Sequence, residues 1–193
     1  MIGVLVSGEG TNLQALLDAG LPISAVASNV AGARALARAH RAALPAAVFQ
    51  LSNYARRADR DAAMADWLAG CGVELVVCAG YMHLLTPEFL RRFPVVNVHP
   101  SLLPAFPGLH PIEDALAAGV AETGVTVHYV DEGVDTGPII AQAPVAVLPD
   151  DTPATLRARI RAVEHRLLPE VTRLIVARAL GSPRSMATAP HDG

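Results

Sequence analysis

Asn97 and His99 stand at the end of the apolar run VVNV, within the stretch VVNVHPSLLPAFPGLH. Side chains two positions apart on a strand lie on the same face, so these two are expected to converge on one site. An amide can donate a hydrogen bond to a developing oxyanion, and a neighbouring imidazole can donate as well or relay protons. The pair is therefore typical of acyl transfer, whereas a lone histidine at a strand end is more often structural.

A third candidate, Asp135, precedes a Thr-Gly-Pro turn in the segment TGVTVHYVDEGVDTGPII. A carboxylate beside His99 would hold the imidazole protonated. An aspartate in such a turn caps backbone amides at least as often, so the pattern leaves both interpretations open. Asp131 and Glu132 look like solvated loop charges. His128, inside a strand pattern, is more typical of a packing or supporting histidine.

The segment VSGEGTNLQALL places two glycines between a first apolar run and a helical pattern that opens with Thr11 and Asn12. Backbone amides at such a turn, together with the helix dipole, form a site for a phosphate or another anion. A tight turn capped by Thr or Asn explains the same residues about equally well. The third glycine of the dinucleotide fingerprint is missing, so a nicotinamide cofactor is not indicated.

Several classes of chemistry are disfavoured by what the sequence lacks. All fifteen basic residues are arginine, which excludes a Schiff-base lysine and the lysine of a P-loop. No GxSxG motif of a serine hydrolase is present. His99, His110 and His128 form no close ligand pair, and neither cysteine has zinc-site or redox spacing, so we expect no metal.

The composition favours a small-molecule partner. The chain has 193 residues, 52% of them hydrophobic, and a net charge of −3, which suits one globular domain over residues 1–180 followed by a disordered tail, residues 181–193. A slightly acidic chain without a dense basic run is a poor candidate for binding nucleic acid. No apolar run approaches the roughly 18 residues that span a bilayer, and no secretory signal opens the chain. We therefore expect a cytoplasmic protein, monomeric or homodimeric, without a membrane partner.

Short β-branched runs alternate with helical patterns through the first half of the chain. The strand candidates are IGVLV, ISAVAS, AAVFQ and VELVVCAG, and the helices after them span residues 11–18, 31–42, 55–70 and 86–92. Because these runs are apolar on both faces, we predict an α/β fold with a doubly wound, mainly parallel sheet. In such sheets ligands gather at the carboxyl ends of the strands.

The character of the chain changes after VVNV to segments rich in proline and glycine. GVTVHYV and IIAQAPVAV are strand candidates there, which predicts an antiparallel addition at the C-terminal edge of the sheet. A long C-terminal helix follows, with Thr152 as its cap and Pro153 in its first turn. Pro169 is expected to kink or divide this helix.

Three segments together resemble the signature of the folate-dependent formyltransferase family. They are NVHPSLLP at residues 97–104, GVTVH at residues 124–128 and DTGP at residues 135–138. The resemblance covers about residues 1–180. It implies a Rossmann-like domain, 10-formyltetrahydrofolate as co-substrate, and direct attack of an amine on the formyl group without a metal.

The same resemblance implies roles for individual residues. Asn97 would stabilise the oxyanion, His99 would assist as a charged donor, and Asp135 would hold His99 and relay a proton. A pocket for the folate would be lined by five residues, Met82, His83, Leu84, Leu85 and Val134. Position 83 departs from the family, because relatives often carry arginine there, and the affinity for folate could differ as a result.

Within this family, three features favour the branch that formylates glycinamide ribonucleotide in purine biosynthesis. Gly10, Thr11 and Asn12 resemble its phosphate-binding turn. Arg57 matches an arginine that reaches the same phosphate, and Glu164 in AVEHRLLPEV matches an acid that contacts the ribose. Small-molecule substrates are thereby implied.

Three alternatives remain beside this interpretation. Methionyl-tRNA formyltransferase carries an additional C-terminal domain for tRNA, and formyltetrahydrofolate deformylase adds an N-terminal regulatory domain; we expect neither domain here. Hydrolysis of the formyl folate remains open as a side activity. A non-catalytic nucleotide-binding domain would use only residues 7–12, and would leave the three catalytic candidates unexplained.

Overall fold

The computed structural model describes residues 1–181, and within them lie seven β-strands and six α-helices. The strands are β1 Ile2–Val6, β2 Ile23–Ser28, β3 Ala46–Val48, β4 Leu75–Cys78, β5 Val95–His99, β6 Glu122–Tyr129 and β7 Ile139–Ala146. The helices are α1 Thr11–Asp18, α2 Arg34–Arg41, α3 Arg57–Gly70, α4 Pro87–Arg92, α5 Pro111–Ala117 and α6 Pro153–Gly181. Apart from Gly181, which ends α6, the predicted tail lies outside the described residues.

All seven strands form one sheet in the order β3-β2-β1-β4-β5-β6-β7. Strands β1 to β5 pair in parallel, and β6 and β7 add antiparallel at the C-terminal edge. This confirms the predicted mainly parallel, doubly wound sheet with an antiparallel edge and a long C-terminal helix. The order in which strands are added to the sheet switches between β1 and β4, from one side of β1 to the other. Open α/β sheets bind ligands at such a switch point.

Two apolar layers cover the sheet because alternate strand residues face opposite sides. Val4 and Val6 of β1 pack in a cluster with residues of α1 and α6, whereas Leu5 packs in a second cluster with residues of α3 and α4. All five residues of β1 are buried. A strand buried on both faces gives a rigid support for the turn that follows it.

Two helices start later than the sequence indicates, and a third helix has no counterpart in the prediction. The helices predicted from residues 31 and 55 begin at Arg34 and Arg57, because Ala33 and Arg56 have extended backbones. Helix α5 was not predicted, because seven residues are too few to show a clear helical pattern after a proline- and glycine-rich run. None of the helices in residues 1–181 is long and apolar enough to cross a membrane.

Helix α6 runs without interruption through Pro169, so the expectation that this proline divides it is wrong. A proline removes one backbone hydrogen bond from a helix. Buried side chains before and after it, including Ile160, Leu168 and Val171, hold the helix in the main apolar cluster. The predicted cap is confirmed, because the Thr155 amide donates to Thr152 Oγ1 at 3.2 Å.

Candidate active site

A pocket of about 370 Å³ lies over β5, where the chain leaves β4 and β5. Four parts of the chain line it: the end of β5 with Asn97 and His99, the segment 80–85 after β4, residues 108–111, and the loop 130–135 after β6. All eight predicted catalytic and folate-binding residues are among its lining. The pocket is therefore the place where the sequence-derived candidates meet.

His99 is buried and both of its ring nitrogens face acceptors. Nε2 lies 2.8 Å from the carbonyl oxygen of Phe106, and Nδ1 lies 3.3 Å from Oδ2 of Asp135. A carbonyl and a carboxylate can only accept hydrogen bonds, so both contacts are satisfied when each nitrogen carries a hydrogen. The geometry therefore fits a doubly protonated, cationic imidazole.

Asp135 lies in the left-handed backbone region, with φ of 54°. Its Oδ2 accepts from the Gly108 amide at 2.9 Å as well as facing His99. Burial acts to raise the pKa of Asp135, but hydrogen bonds from His128 and Gly108 and the charges of the two histidines outweigh it and lower the pKa. The carboxylate is therefore charged at neutral pH, and a non-glycine residue with positive φ is an unusual feature that clusters at functional sites.

His128, for which the strand pattern indicates a packing or supporting role, also lies in this group. Its Nδ1 faces the Tyr129 carbonyl at 2.9 Å and must therefore carry a hydrogen. Nε2 lies 3.2 Å from Nδ2 of Asn97 and 3.6 Å from Oδ1 of Asp135. When His128 is neutral, Nε2 accepts one hydrogen of the Asn97 amide and leaves the second for the pocket. When His128 is charged, Nε2 donates to Asp135 instead.

Buried hydrogen bonds fix the loop that follows His99. Thr126 Oγ1 donates to the Ser101 carbonyl at 2.7 Å and accepts from the Leu103 amide at 3.0 Å. Gln142 Nε2 donates to the Leu103 carbonyl at 2.8 Å and to Thr126 Oγ1 at 2.9 Å. These residues of β6 and β7 were missed from the sequence, because only the strand pairing shows that they reach this loop. The antiparallel edge therefore supports the loop after His99.

Apolar side chains form the walls of the pocket. Met82, Leu84 and Val134 are 63%, 50% and 49% exposed, whereas Leu85 is buried beneath them. Exposed apolar side chains gathered around one concavity are typical of a site for a flat organic ligand with a few polar edges. His83 also lines the pocket, beside Arg60 of α3.

The turn between β1 and α1 has a backbone that only glycine accommodates. Gly10 has φ of 72°, and a Cβ there would lie 2.6 Å from Cβ of Ala35 in α2. Arg38 Nε donates to the Glu9 carbonyl at 2.9 Å and holds the turn against α2. Among residues 1–181, no side chain caps the first amides of α1. These amides, with the helix dipole, remain available to an anion.

Asn12 connects this turn to the last helix. Its Nδ2 donates to Oε2 of Glu164 at 3.1 Å, while its Oδ1 is buried without a partner in residues 1–181. Burial raises the pKa of Glu164, and the Asn12 hydrogen bond and the charge of Arg161 offset only part of that rise. A buried, unpaired acceptor beside a half-buried carboxylate fits a ligand that donates hydrogen bonds, such as one with hydroxyl groups.

Arg57 makes no side-chain hydrogen bond or ion pair in the described part of the chain. It is exposed at the first residue of α3. The pKa of His83 is lowered by burial, then by the charge of Arg60, and then by the charge of Arg57.

Ser7 links the two halves of the site. Its Oγ accepts from the Met82 amide at 2.9 Å and donates to Oδ1 of Asn29 at 2.6 Å.

Two histidines beside a carboxylate raise the possibility of a metal site. The four ring nitrogens of His99 and His128 already face protein groups, and His110 lies exposed at the start of α5. No group of three or more metal-binding side chains occurs in residues 1–181. The expectation that no metal takes part stays a prediction.

Comparison with known proteins gives a consistent match. The family described as formyl transferase matches residues 1–172. Phosphoribosylglycinamide formyltransferase of Haemophilus influenzae is 44% identical over 178 residues, 88% of this chain and 84% of that protein. The protein of the same name from Mycobacterium tuberculosis is 47% identical over 171 residues, 86% of this chain and 80% of its own length.

A solved structure agrees with these relatives. Glycinamide ribonucleotide transformylase 1 from Symbiobacterium toebii superposes with a TM-score of 0.90 and 49% sequence identity, covering 92% of this chain and 87% of that one. Likeness at this level extends over the whole sheet and both sets of helices.

Proposed function

The chain belongs to the formyl transferase family, and from this premise we propose that it transfers the formyl group of 10-formyltetrahydrofolate to the amine of glycinamide ribonucleotide, a step of purine biosynthesis. One observation carries the proposal. Asn97, His99 and Asp135 face an apolar pocket at the same sheet edge as an uncapped helix start suited to a phosphate. The arrangement supports two substrates meeting at one catalytic group.

The reaction needs stabilisation of a negative oxygen and movement of one proton. The amine nitrogen bonds to the formyl carbon while the carbonyl electron pair moves to oxygen. The amine then loses a proton, the bond from carbon to the folate nitrogen breaks, and that nitrogen gains a proton. The free hydrogen of the Asn97 amide is suited to donate to the oxyanion, with the positive charge of His99 nearby. Asp135 is suited to hold His99 and to relay the proton between the two nitrogens.

The folate is proposed to occupy the 370 Å³ pocket. Met82, Leu84, Leu85 and Val134 supply apolar walls for a flat pterin ring, and His83 supplies a polar edge. Backbone groups of the loop 130–135 are available to hydrogen-bond the ring edge. The lining of the pocket thus matches a heterocycle with apolar faces and polar edges.

The ribonucleotide is proposed to bind at the start of α1. The amides around Gly10, Thr11 and Asn12 have no side-chain cap within residues 1–181 and suit the phosphate. Glu164, beside the unpaired Oδ1 of Asn12, suits the ribose hydroxyls. Arg57, exposed at the start of α3, is proposed to reorient on binding and reach the same phosphate.

We further propose that the protein acts in the cytoplasm as one domain over residues 1–180, as a monomer or homodimer. Its partners would be small molecules, with neither nucleic acid nor membrane among them. The absence of lysine and the net charge of −3 support this, because binding to phosphate backbones and anionic lipid surfaces depends on dense positive charge.

The direct test mixes purified protein with 10-formyltetrahydrofolate, with and without glycinamide ribonucleotide, and follows tetrahydrofolate formation optically. Turnover that requires the ribonucleotide is expected. Asp135→Asn should lower kcat by about 10²- to 10⁴-fold, the usual contribution of a proton-transfer group, without unfolding the protein. Turnover without the ribonucleotide would indicate a deformylase instead, and no turnover in either mixture would favour a non-catalytic binding domain.

A further inference from the structure

Arg60, on α3, is the largest side chain buried completely in the described part of the protein. Its exposure is 0%, and its Nε and Nη2 bond to Oδ1 of Asp61 at 2.7 and 2.6 Å, with Asp61 only 1% exposed. Arginine is rarely buried to this extent, and removing two charges from water offsets most of what their attraction contributes. Stability of the helix is therefore a poor explanation for the pair.

Within the described residues, the other side-chain hydrogen bonds of the pair and its cation–π contact go to a single stretch of chain, residues 81–86. Arg60 Nη1 lies 2.7 Å from Nδ1 of His83, and Nη2 donates to the Leu84 carbonyl at 3.4 Å. The guanidinium lies 6.0 Å from the ring centre of Tyr81. Asp61 Oδ2 accepts from the Thr86 amide at 2.8 Å. Segment 81–86 forms one wall of the pocket, and the pair lies directly behind it.

The contact with His83 fixes the state of that ring. A guanidinium carries only hydrogen-bond donors, so Nδ1 of His83 must be the acceptor and lack a hydrogen. The neutral ring then carries its hydrogen on Nε2, and Nε2 has no partner in residues 1–181. Burial contributes most to lowering the pKa of His83, followed by the positive charges of Arg60 and Arg57. A lowered pKa is consistent with a neutral ring. His83 therefore lines the pocket with one fixed donor.

We propose that Arg60 and Asp61 are positioning residues for the formyl donor: they hold segment 81–86 and fix His83 so that its Nε2–H is presented to an oxygen acceptor of the bound folate. The inference rests on the proposed function for the identity of that ligand. Neither Arg60 nor Asp61 lines the pocket, so both act through His83 and the segment.

The test compares wild type with R60M/D61N and H83A. The double substitution removes both buried charges together, so neither is stranded, and it retains an amide oxygen for the Thr86 amide. R92M/D66N is the matched control, because it removes another Arg–Asp ion pair of α3, one that reaches α4 on the surface and has no residue in the pocket lining. H83A removes the ring and keeps the buried pair, so it reports the effect of the ring if the double variant fails to fold.

For R60M/D61N we expect the KM for the formyl folate to rise by about tenfold, the effect of losing one well-placed hydrogen bond, while kcat and the KM for the ribonucleotide stay within about twofold. H83A should raise the same KM by a similar factor, and R92M/D66N should change neither constant. In nitrogen-15 NMR of the wild type, His83 should be a neutral ring with hydrogen on Nε2, and R60M/D61N should show a mixture of both tautomers.

The proposal is overturned if H83A leaves the folate KM unchanged, or if His83 of the wild type carries its hydrogen on Nδ1. A lower Tm in R60M/D61N with unchanged kinetics and unchanged tautomer would assign the pair a purely structural role and overturn it as well. Binding of tetrahydrofolate, measured by calorimetry on the same variants, needs no turnover. Wild type that binds tetrahydrofolate but transfers no formyl group would contradict the proposed function while the variants still decide the role of Arg60.

Discussion

Nε2 of His128 lies between the amide of Asn97 and the carboxylate of Asp135. Its protonation state therefore decides whether it accepts from Asn97 or donates to Asp135. As a neutral ring, His128 accepts from Asn97 and so orients the amide with its nitrogen toward the ring. As a cation it would donate to Asp135 and release Asn97. The orientation of the oxyanion donor therefore depends on a residue that is 1% exposed and need not touch either substrate.

His128→Gln should lower kcat by about 100-fold, of the order found when an oxyanion donor is lost, with little change in either KM. The glutamine amide cannot hold Asn97 in one orientation, because it can present either oxygen or nitrogen. Steady-state kinetics with both substrates varied will check this. His40→Gln on the surface of α2 is the control. A kcat for H128Q within twofold of wild type would show that Asn97 is oriented without His128.

Glu164→Gln should stabilise the protein while weakening binding of the ribonucleotide. The pKa of Glu164 is raised in the folded state, so the folded protein binds a proton more readily than the unfolded chain and loses stability as the pH rises above about 4.3, the ordinary value. A neutral amide removes that cost and can donate to the unpaired Oδ1 of Asn12.

Thermal unfolding should show a Tm gain for Glu164→Gln of about 2 to 4 °C at pH 7 and a smaller gain at pH 4, where the native carboxyl, with its raised pKa, is already largely protonated. The KM for the ribonucleotide should rise in the same variant. Glu170→Gln, exposed on the same helix, should shift Tm little at either pH. An equal Tm gain at both pH values would contradict the raised pKa of Glu164.

Three neighbouring strands, β1, β4 and β5, carry the segments from which the site is built. The turn after β1 faces the proposed phosphate position, the segment after β4 forms a pocket wall, and β5 itself carries Asn97 and His99. Ser7 joins the first two segments through the Met82 amide. Because the strands are held in register by the sheet, the spacing of the two proposed substrate sites is fixed by the fold.

Gly10→Ala should raise the KM for the ribonucleotide at least roughly tenfold, with a smaller effect on the KM for the folate. The added methyl group would meet Ala35 at 2.6 Å and would also disfavour the positive φ of 72°, so the turn must shift away from its anion-binding shape. Gly20→Ala, which has a positive φ of 66° but open space around it, separates the backbone effect from the steric clash. A KM for G10A equal to that of G20A would argue against a role for this turn in binding.

Elements with strong periodic patterns were predictable, and those set by tertiary contacts were not. The runs from IGVLV to VVNV gave β1, β2, β4 and β5 because strands buried on both faces are continuously apolar. The short helix α5 and the continuity of α6 through Pro169 depend on packing against the sheet, which no local pattern records.

The candidate site divides in the same way. Asn97 and His99 could be paired from strand alternation alone, and Asp135 through the family motif. The pairing of His128 opposite Asn97 requires the register between β5 and β6. Arg60 and Asp61 resemble the solvated charges of a surface helix in the sequence, and only the structure buries them behind segment 81–86.

In the molecule as a whole, the proposed catalytic group and the two proposed binding regions lie on one sheet. Thr126 and Gln142 tie the loop after His99 to the antiparallel edge. Arg60 and Asp61 hold segment 81–86, and Arg38 of α2 holds the turn before α1. None of these supports is part of the reacting chemistry.

The central claim is that the formyl group passes directly from the folate to the ribonucleotide amine at Asn97, His99 and Asp135. Its most direct test supplies a carbon-13-labelled formyl folate with glycinamide ribonucleotide and follows the label by NMR. The account predicts that the label appears in the formamide of the ribonucleotide product, with little as formate, and that Asp135→Asn slows its appearance without changing the product. Label that accumulates as free formate while the ribonucleotide is present would contradict the account.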